Sequence, residues 1–401
     1  MLRGYCKDTE GERGGIRNSQ IEIIYSVNNS SEVLFKLLRI ALGKECDYSL
    51  PLSVNWKEVI DLSFEQGVAA IVVDGLQKIY DFVESSRVQE VQGFKALEDL
   101  DSPKLEDLKY EWFGEVMNQE QDYERHTELI ARLSSKLSEN GIRMMLLKGV
   151  GCSLNYPVPS HRSVGDIDIY CFDKGVEANR VFESQGIAVE ENLGHHSRLS
   201  IDGISIENHH LLMDEDTYHS NRSFEAEVQG LIKSDVEEVE IGGAKVLVPG
   251  PTLMALHLLR HSSGDFASNT INLRQMLDYA LLVNKRSGEI DWAEVTRVVD
   301  TLGMRGYFGA LNDLSVNVFG VERDKFPAFK EDAALRERIL NDTLYAPKCH
   351  DFPDYHHKLI YGLAKTRQAW NNRWKNKLVF NESFLSLYWQ KAWNRLNPRF
   401  K

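Results

Sequence analysis

In Gly165-Asp166-Ile167-Asp168-Ile169, acidic and apolar residues alternate. Read as a strand, this period of two sends Asp166 and Asp168 to one side and Ile167 and Ile169 into a core on the other. Two carboxylates held that close repel, and one pKa rises, unless a cation neutralises both. Magnesium, which prefers oxygen ligands and substrate phosphates, is the expected occupant, with manganese as the alternative. An Asp-x-Asp triplet alone is common at solvated strand ends, so its meaning depends on its surroundings. Upstream stands Leu146-Leu147-Lys148-Gly149-Val150-Gly151, an apolar run that ends in a glycine turn. Missing side chains at such a turn let backbone N–H groups approach a phosphate. Lys148 and Arg162 are candidates to stabilise phosphate charge, one as a point charge and the other as a bidentate fork. For both, the competing reading is a solvated surface residue or an ion pair.

Several elements must position these groups. Residues 142–147 read as a short buried strand and 164–171 as a second. Before them, an amphipathic helix over about 115–140 buries Ile130, Leu133 and Leu137 and stops at Asn140-Gly141. After them come a helix over 174–184 and strands over 188–193, 198–201 and 204–209. The last two are joined by Asp202-Gly203 as a two-residue turn. On strand 204–209, Glu207 and His209 are two residues apart and share a face. A hairpin at Gly242-Gly243 then leads through Val246 to Pro249 into helices from Pro251 onward.

Helical patterns also precede the block, over 31–43, 56–64 and 68–79. Trp56-Lys57-Glu58-Val59 with Gly67 is repeated as Trp292-Ala293-Glu294-Val295 with Gly303 at the same offsets. Either two similar helical elements flank the core or two unrelated amphipathic helices coincide. The expected organisation is a disordered leader over 1–20, a helical region over 21–114, an α/β core over 115–249 and a helical region over 250–401. The expected class is α+β, a mixed sheet with helices on one face between helical flanks.

Lys148-Gly149, Arg162, the Asp166/Asp168 pair and Ile206-Glu207-Asn208-His209 together resemble the uncharacterised bacterial nucleotidyltransferase family of the polymerase-β-like superfamily. Leu256 to His261, Leu273-Arg274, Leu277-Asp278 and Ile290 to Trp292 are similar to that family's helical continuation, so the resemblance spans about 56–311. It implies the minimal nucleotidyltransferase fold and metal-dependent transfer of a nucleoside monophosphate from an NTP such as ATP to a hydroxyl. Pyrophosphate would leave, and two magnesium ions would serve. By position, it implies Asp166, Asp168 and Glu207 as catalytic acids and metal ligands. Lys148, Gly149, Gly151, Arg162 and His209 would surround the nucleotide phosphates. It does not imply the acceptor, which could be a small molecule, a sugar or a protein. Gly149 is followed by Val150 rather than by the superfamily's usual second glycine or serine, and Asn208 stands where the family tends to have an apolar residue.

Other clusters carry competing readings. His195-His196, His209-His210 and His219 enrich the core in imidazole, but adjacent histidines on a strand point to opposite sides, which argues against zinc. His257 and His261 lie four apart on a predicted helix with Asp278 on the next. That spacing would suit a metal-dependent phosphohydrolase, simple structural packing, or a contact to the active-site cleft. A degenerate nucleotide-binding module is the non-enzymatic alternative, and retention of three acids argues against it. Residues 365–401 carry nine Lys or Arg against Glu382 alone, interleaved with Trp370, Trp374, Trp389 and Trp393. This tail suits either a nucleic-acid or membrane-surface contact, or packing on the acidic core.

Composition sets the outer limits. With 42% hydrophobic and 27% charged residues the chain is ordinary for a globular protein. A net charge of −13 excludes a surface that embraces nucleic acid throughout. The five cysteines form no C-x-x-C pair, the first 20 residues hold no apolar signal segment, and no stretch approaches the roughly 20 apolar residues of a membrane span. A cytoplasmic protein is expected.

Overall fold

The computed structural model describes residues 29–86, 94–191, 194–215, 219–269, 271–346 and 358–380. The expected disordered leader and the tail beyond Phe380 lie outside these residues. Seven strands form one mixed sheet: β1 (Met145–Leu146), β2 (Ile167–Tyr170), β3 (Val189–Glu190), β4 (His196–Ile201), β5 (Ile204–His209), β6 (Val236–Ile241) and β7 (Ala244–Pro249). Their order is β3-β4-β5-β2-β1-β7-β6. β2 runs parallel to β5 and β1 parallel to β7, while the other neighbours are antiparallel. Both hairpin turns have positive φ at each central residue, 54° and 80° at Asp202-Gly203 and 57° and 77° at Gly242-Gly243. That geometry matches the right-handed strand twist and locks the register on either side.

One face of the sheet is apolar. Ile167, Ile169, Leu199, Ile206, Val246 and Val248 pack with Leu129, Ile130, Leu133 and Leu137 of the long helix Glu106–Glu139, and with Ala178 and Phe182 of helix Gly175–Glu183. The long helix starts earlier than its sequence pattern suggests because Trp112 and Val116 extend its buried stripe.

The N-terminal and C-terminal helices share a second core. Leu34 of helix Asn29–Ala41, Val59 of Trp56–Glu65 and Val72 of Ala69–Ser86 belong to the same buried cluster as Leu256 of Pro251–Ser268 and Leu277 of Leu273–Arg286. Gln66 stitches the two regions: its side chain donates to the Thr343 carbonyl at 3.1 Å and accepts from the Leu273 N–H at 3.1 Å. The repeated Trp segments adopt the same local form. Asn55 and Asp291 cap helices Trp56–Glu65 and Trp292–Thr301 by accepting from the N–H of Glu58 and Glu294, and both helices end at a positive-φ glycine, Gly67 and Gly303.

Helices Asn29–Ala41 and Ala69–Ser86 cross where Gly75 leaves no room for a side chain, since a Cβ there would sit 2.1 Å from the Leu37 carbonyl oxygen. Gly75→Ala is expected to destabilise the fold by about 1–3 kcal/mol through overpacking. A lowered urea midpoint would register this, and an unchanged midpoint would contradict so close a crossing.

Part of the basic aromatic tail is packed. In helix Arg373–Phe380, Lys375 is fully buried with its Nζ 2.5 Å from Asp342 Oδ2, and Trp374 stands edge-on to Phe266 at 5.5 Å. Trp370 is 51% exposed, and Trp389 and Trp393 lie outside the described residues. Among the described residues, no helix is long and apolar enough to cross a membrane.

Candidate active site

The polar face of the sheet is organised in rows by strand register. Across β4, β5 and β2, Arg198 faces Glu207 and Glu207 is level with Asp168. One step along, His196 faces His209 and His209 is level with Tyr170. Parallel in-register pairing puts level residues on the same side, so Asp168 and Glu207 must converge opposite their buried isoleucine neighbours. Asp168 accepts from His209 Nε2 at 3.0 Å and lies 3.2 Å from Lys148 Nζ. Glu207 accepts from Arg198 Nη2 at 3.0 Å, and its two oxygens lie 3.4 Å from His196 Nε2 and 3.5 Å from His209 Nε2. Ligand atoms of Asp168, Glu207 and His209 fall within 4.8 Å of one another, a span that one cation can bridge after small side-chain rotations.

The charges follow from this crowding. Burial opposes ionisation of Asp168, yet Lys148 and His209 hold its carboxyl well below the usual carboxylate range. Against burial, the His209 contact and the Arg198 bond keep Glu207 at about 2. Burial alone would lower His209, but the Asp168 and Glu207 carboxylates carry it above an ordinary histidine. Lys148 also donates to His261 Nε2 at 2.8 Å. Burial and Lys148 depress His261 to about 3, so it accepts that bond as a neutral ring. Gly149 follows Lys148 with φ 64° and ψ −120°, a backbone suited to glycine, and it begins the short helix Val150–Ser153.

The model of a family described as uncharacterised nucleotidyltransferase matches residues 53–320. The chain belongs to this nucleotidyltransferase family. Membership assigns nucleotidyl transfer as its reaction class. Two solved structures show distant similarity. The antibiotic-resistance factor ANT(2'')-Ia is 14% identical over 45% of this chain and 92% of its own, with a TM-score of 0.34. A nucleotidyltransferase-like protein from Paracoccidioides brasiliensis is 15% identical over 52% of this chain and 94% of its own, with a TM-score of 0.33. At that overlap neither informs substrate or site. Among curated proteins none matches.

Of the residues singled out in the sequence, the nucleotidyltransferase fold gathers Lys148, Asp168, Glu207 and His209. Asp166 lies one residue before β2, which begins at Ile167 rather than at 164, and its side chain is exposed. It stays near enough to Arg198 to reinforce that guanidinium's charge. Gly151 is buried, and its N–H donates to the Lys148 carbonyl at 3.1 Å, so its amide closes the turn instead of facing outward. Arg162 falls on the ion-pair side of its two readings. Its Nε and Nη2 each donate at 2.7 Å to the two oxygens of Asp278, Tyr156 Oη donates to the same carboxylate, and both charged groups are buried.

That pairing also bears on the phosphohydrolase reading. His261 meets the cleft through Lys148, but His257 is buried with neither ring nitrogen paired among the described residues, and the carboxylate of Asp278 is occupied by Arg162 and Tyr156. Among the described residues, no metal-capable group combines the three. Arg198 carries no sequence signal of its own, although the two-residue turn at Asp202-Gly203 makes 198 the partner of 207, just as it makes 196 the partner of 209.

Glu225, within electrostatic reach of His209, is buried and accepts from the Met213 N–H at 2.6 Å, and burial raises it to about 7. A carboxyl raised above its unfolded value of 4.5 stabilises the fold fully below that pH, and this contribution is lost as pH climbs through 7. Glu225→Gln is therefore expected to gain up to about 3 kcal/mol relative to wild type at pH 8 and nothing at pH 4. Denaturant titrations at the two pH values check this, and equal differences at both would refute it.

Proposed function

We propose that the chain transfers a nucleoside monophosphate from an NTP such as ATP to a hydroxyl of an acceptor, using magnesium held by Asp166, Asp168 and Glu207. The observation that carries this reading is the in-register pairing of Asp168 with Glu207 on adjoining parallel strands, beside Lys148 and a glycine turn. The donor set suits a hard cation. Two carboxylates from different strands converge, and Lys148 and His209 beside them supply the balancing positive charge.

Bound ions, two magnesium or else manganese, would neutralise the triphosphate and acidify the acceptor hydroxyl. Lys148 and the Gly149 backbone would hold the phosphates. Glu207 accepts the acceptor's proton as the new oxygen–phosphorus bond forms at the α-phosphorus and the bond to the β-phosphate breaks, releasing pyrophosphate. Arg198 keeps Glu207 ionised for that task. Arg162 contributes by ordering the loop between β1 and β2, not by touching phosphate.

The acceptor is a small molecule, a sugar or a protein side chain. We place the reaction in the cytoplasm, where NTPs are abundant and where Cys152 and Cys171, buried free thiols pushed up to about 12, remain reduced. Incubation with each labelled NTP, magnesium and a cell extract should yield a labelled product. Nucleotide binding that ignores magnesium, with no label transferred, would instead point to a binding module.

A further inference from the structure

We propose that His195, His196 and His209 form a second metal site, for a borderline divalent cation of the zinc class, beside the carboxylates of the transfer site. One ring nitrogen from each of the three lies within 4.8 Å of the others. The ring centroids are 4.7 Å apart for His195 and His196, 5.0 Å for His195 and His209, and 5.3 Å for His196 and His209. Strand alternation would separate neighbouring histidines, but His195 precedes β4 and so escapes it. The β4–β5 register then supplies His209 directly opposite His196.

The second observation concerns hydrogen bonds these rings do not make. His196 is 8% exposed, yet neither of its nitrogens meets a hydrogen-bond partner among the described residues, and neither does Nδ1 of His195. Buried ring nitrogens are ordinarily paired, and leaving one unpaired is costly. Unpaired nitrogens on His195 and His196, in rings that each bring one nitrogen within 4.8 Å of His209, fit a ligand better than they fit packing.

The donors decide the class of ion. Imidazole nitrogens suit zinc, cobalt and similar ions, whereas magnesium wants oxygen. Zinc–nitrogen bonds of about 2.0–2.1 Å at tetrahedral angles need nitrogens about 3.4 Å apart, which modest ring rotations from the present spacing provide. Glu207, 3.4 Å from His196 Nε2, stands ready as a fourth ligand or as an outer partner. Asp214 adds negative charge near His195. Arg198 and Lys148 are the facing cations; Arg198 is bonded to Glu207 and Lys148 to Asp168 and His261. His209 is common to this group and to the carboxylate group, so an ion here would adjoin the transfer site and orient its acids.

Titration of the metal-stripped full chain with Co2+ or Zn2+ alone, followed by visible spectroscopy and calorimetry, tests the proposal. Wild type should take up one Co2+ with the strong visible absorption of a low-coordinate nitrogen site. His196→Ala, and separately His195→Gln in case the alanine variant fails to fold, should each weaken binding by about a hundredfold or more. Asp166→Asn should leave the Co2+ spectrum unchanged. A folded His195→Gln or His196→Ala protein with the wild-type spectrum and affinity overturns the site. So does a wild-type chain that binds Zn2+ no more tightly than Mg2+. Loss of magnesium-dependent transfer with the Co2+ site intact would count against the transfer reading alone.

Discussion

Asp168→Asn is expected to reduce nucleotidyl transfer at least about a thousandfold, equivalent to about 4 kcal/mol of lost transition-state stabilisation. Asn keeps the shape of Asp and can still meet His209, so the loss isolates the charge. In the wild type that charge is held by Lys148 and His209 against deep burial, and it is the most confined carboxylate of the acid pair. The measurement is labelled-product formation at saturating NTP and magnesium, with circular dichroism to verify folding. Asp166→Asn is expected to lose label as well, since it would remove a second ligand. Undiminished labelling in a folded Asp168→Asn protein would refute the metal assignment.

Arg162→Ala is expected to cost about 3–5 kcal/mol of folding stability, because it strips the buried Asp278 carboxylate of its bidentate partner and leaves it the Tyr156 hydrogen bond and the more distant charge of Arg274. Replacing both partners together, as Arg162→Met with Asp278→Leu, should recover most of that loss, since apolar side chains of similar volume need no compensating charge. Urea denaturation of the single and double variants measures both quantities. A phosphate-binding arginine would behave differently, raising KM while leaving the urea midpoint in place. The two outcomes therefore separate the ion-pair role from the phosphate role directly.

How much of this was legible beforehand depended on the range of the interaction involved. Local signals read well. Strand 204–209 and the helix after Lys174 lie where the residue patterns put them, and both two-residue turns have the backbone their glycines imply. Alternation and turn chemistry act over a few residues, so the local order of residue types carries them. Strand ends read less well. β2 is shorter than 164–171 because the residues before Ile167 find no partner strand, and this left Asp166 off the ladder. Likewise, the rule that separates neighbouring histidines holds only inside a strand, and His195 lies just outside one.

The sequence by itself determined the acids, the glycine turn, the two hairpins and the amphipathic faces, because each is a matter of residue type and short spacing. Only the tertiary structure decided which residues meet. Parallel pairing of β2 with β5 set Asp168 beside Glu207, and it closes a loop whose partners no local pattern specifies. The same holds for Arg162 with Asp278, for Lys148 with His261, and for the merging of two distant helical regions into one core through Gln66. Contacts across a hundred or more residues are selected by packing and by the need to neutralise buried charge, and those forces act only once the chain has folded.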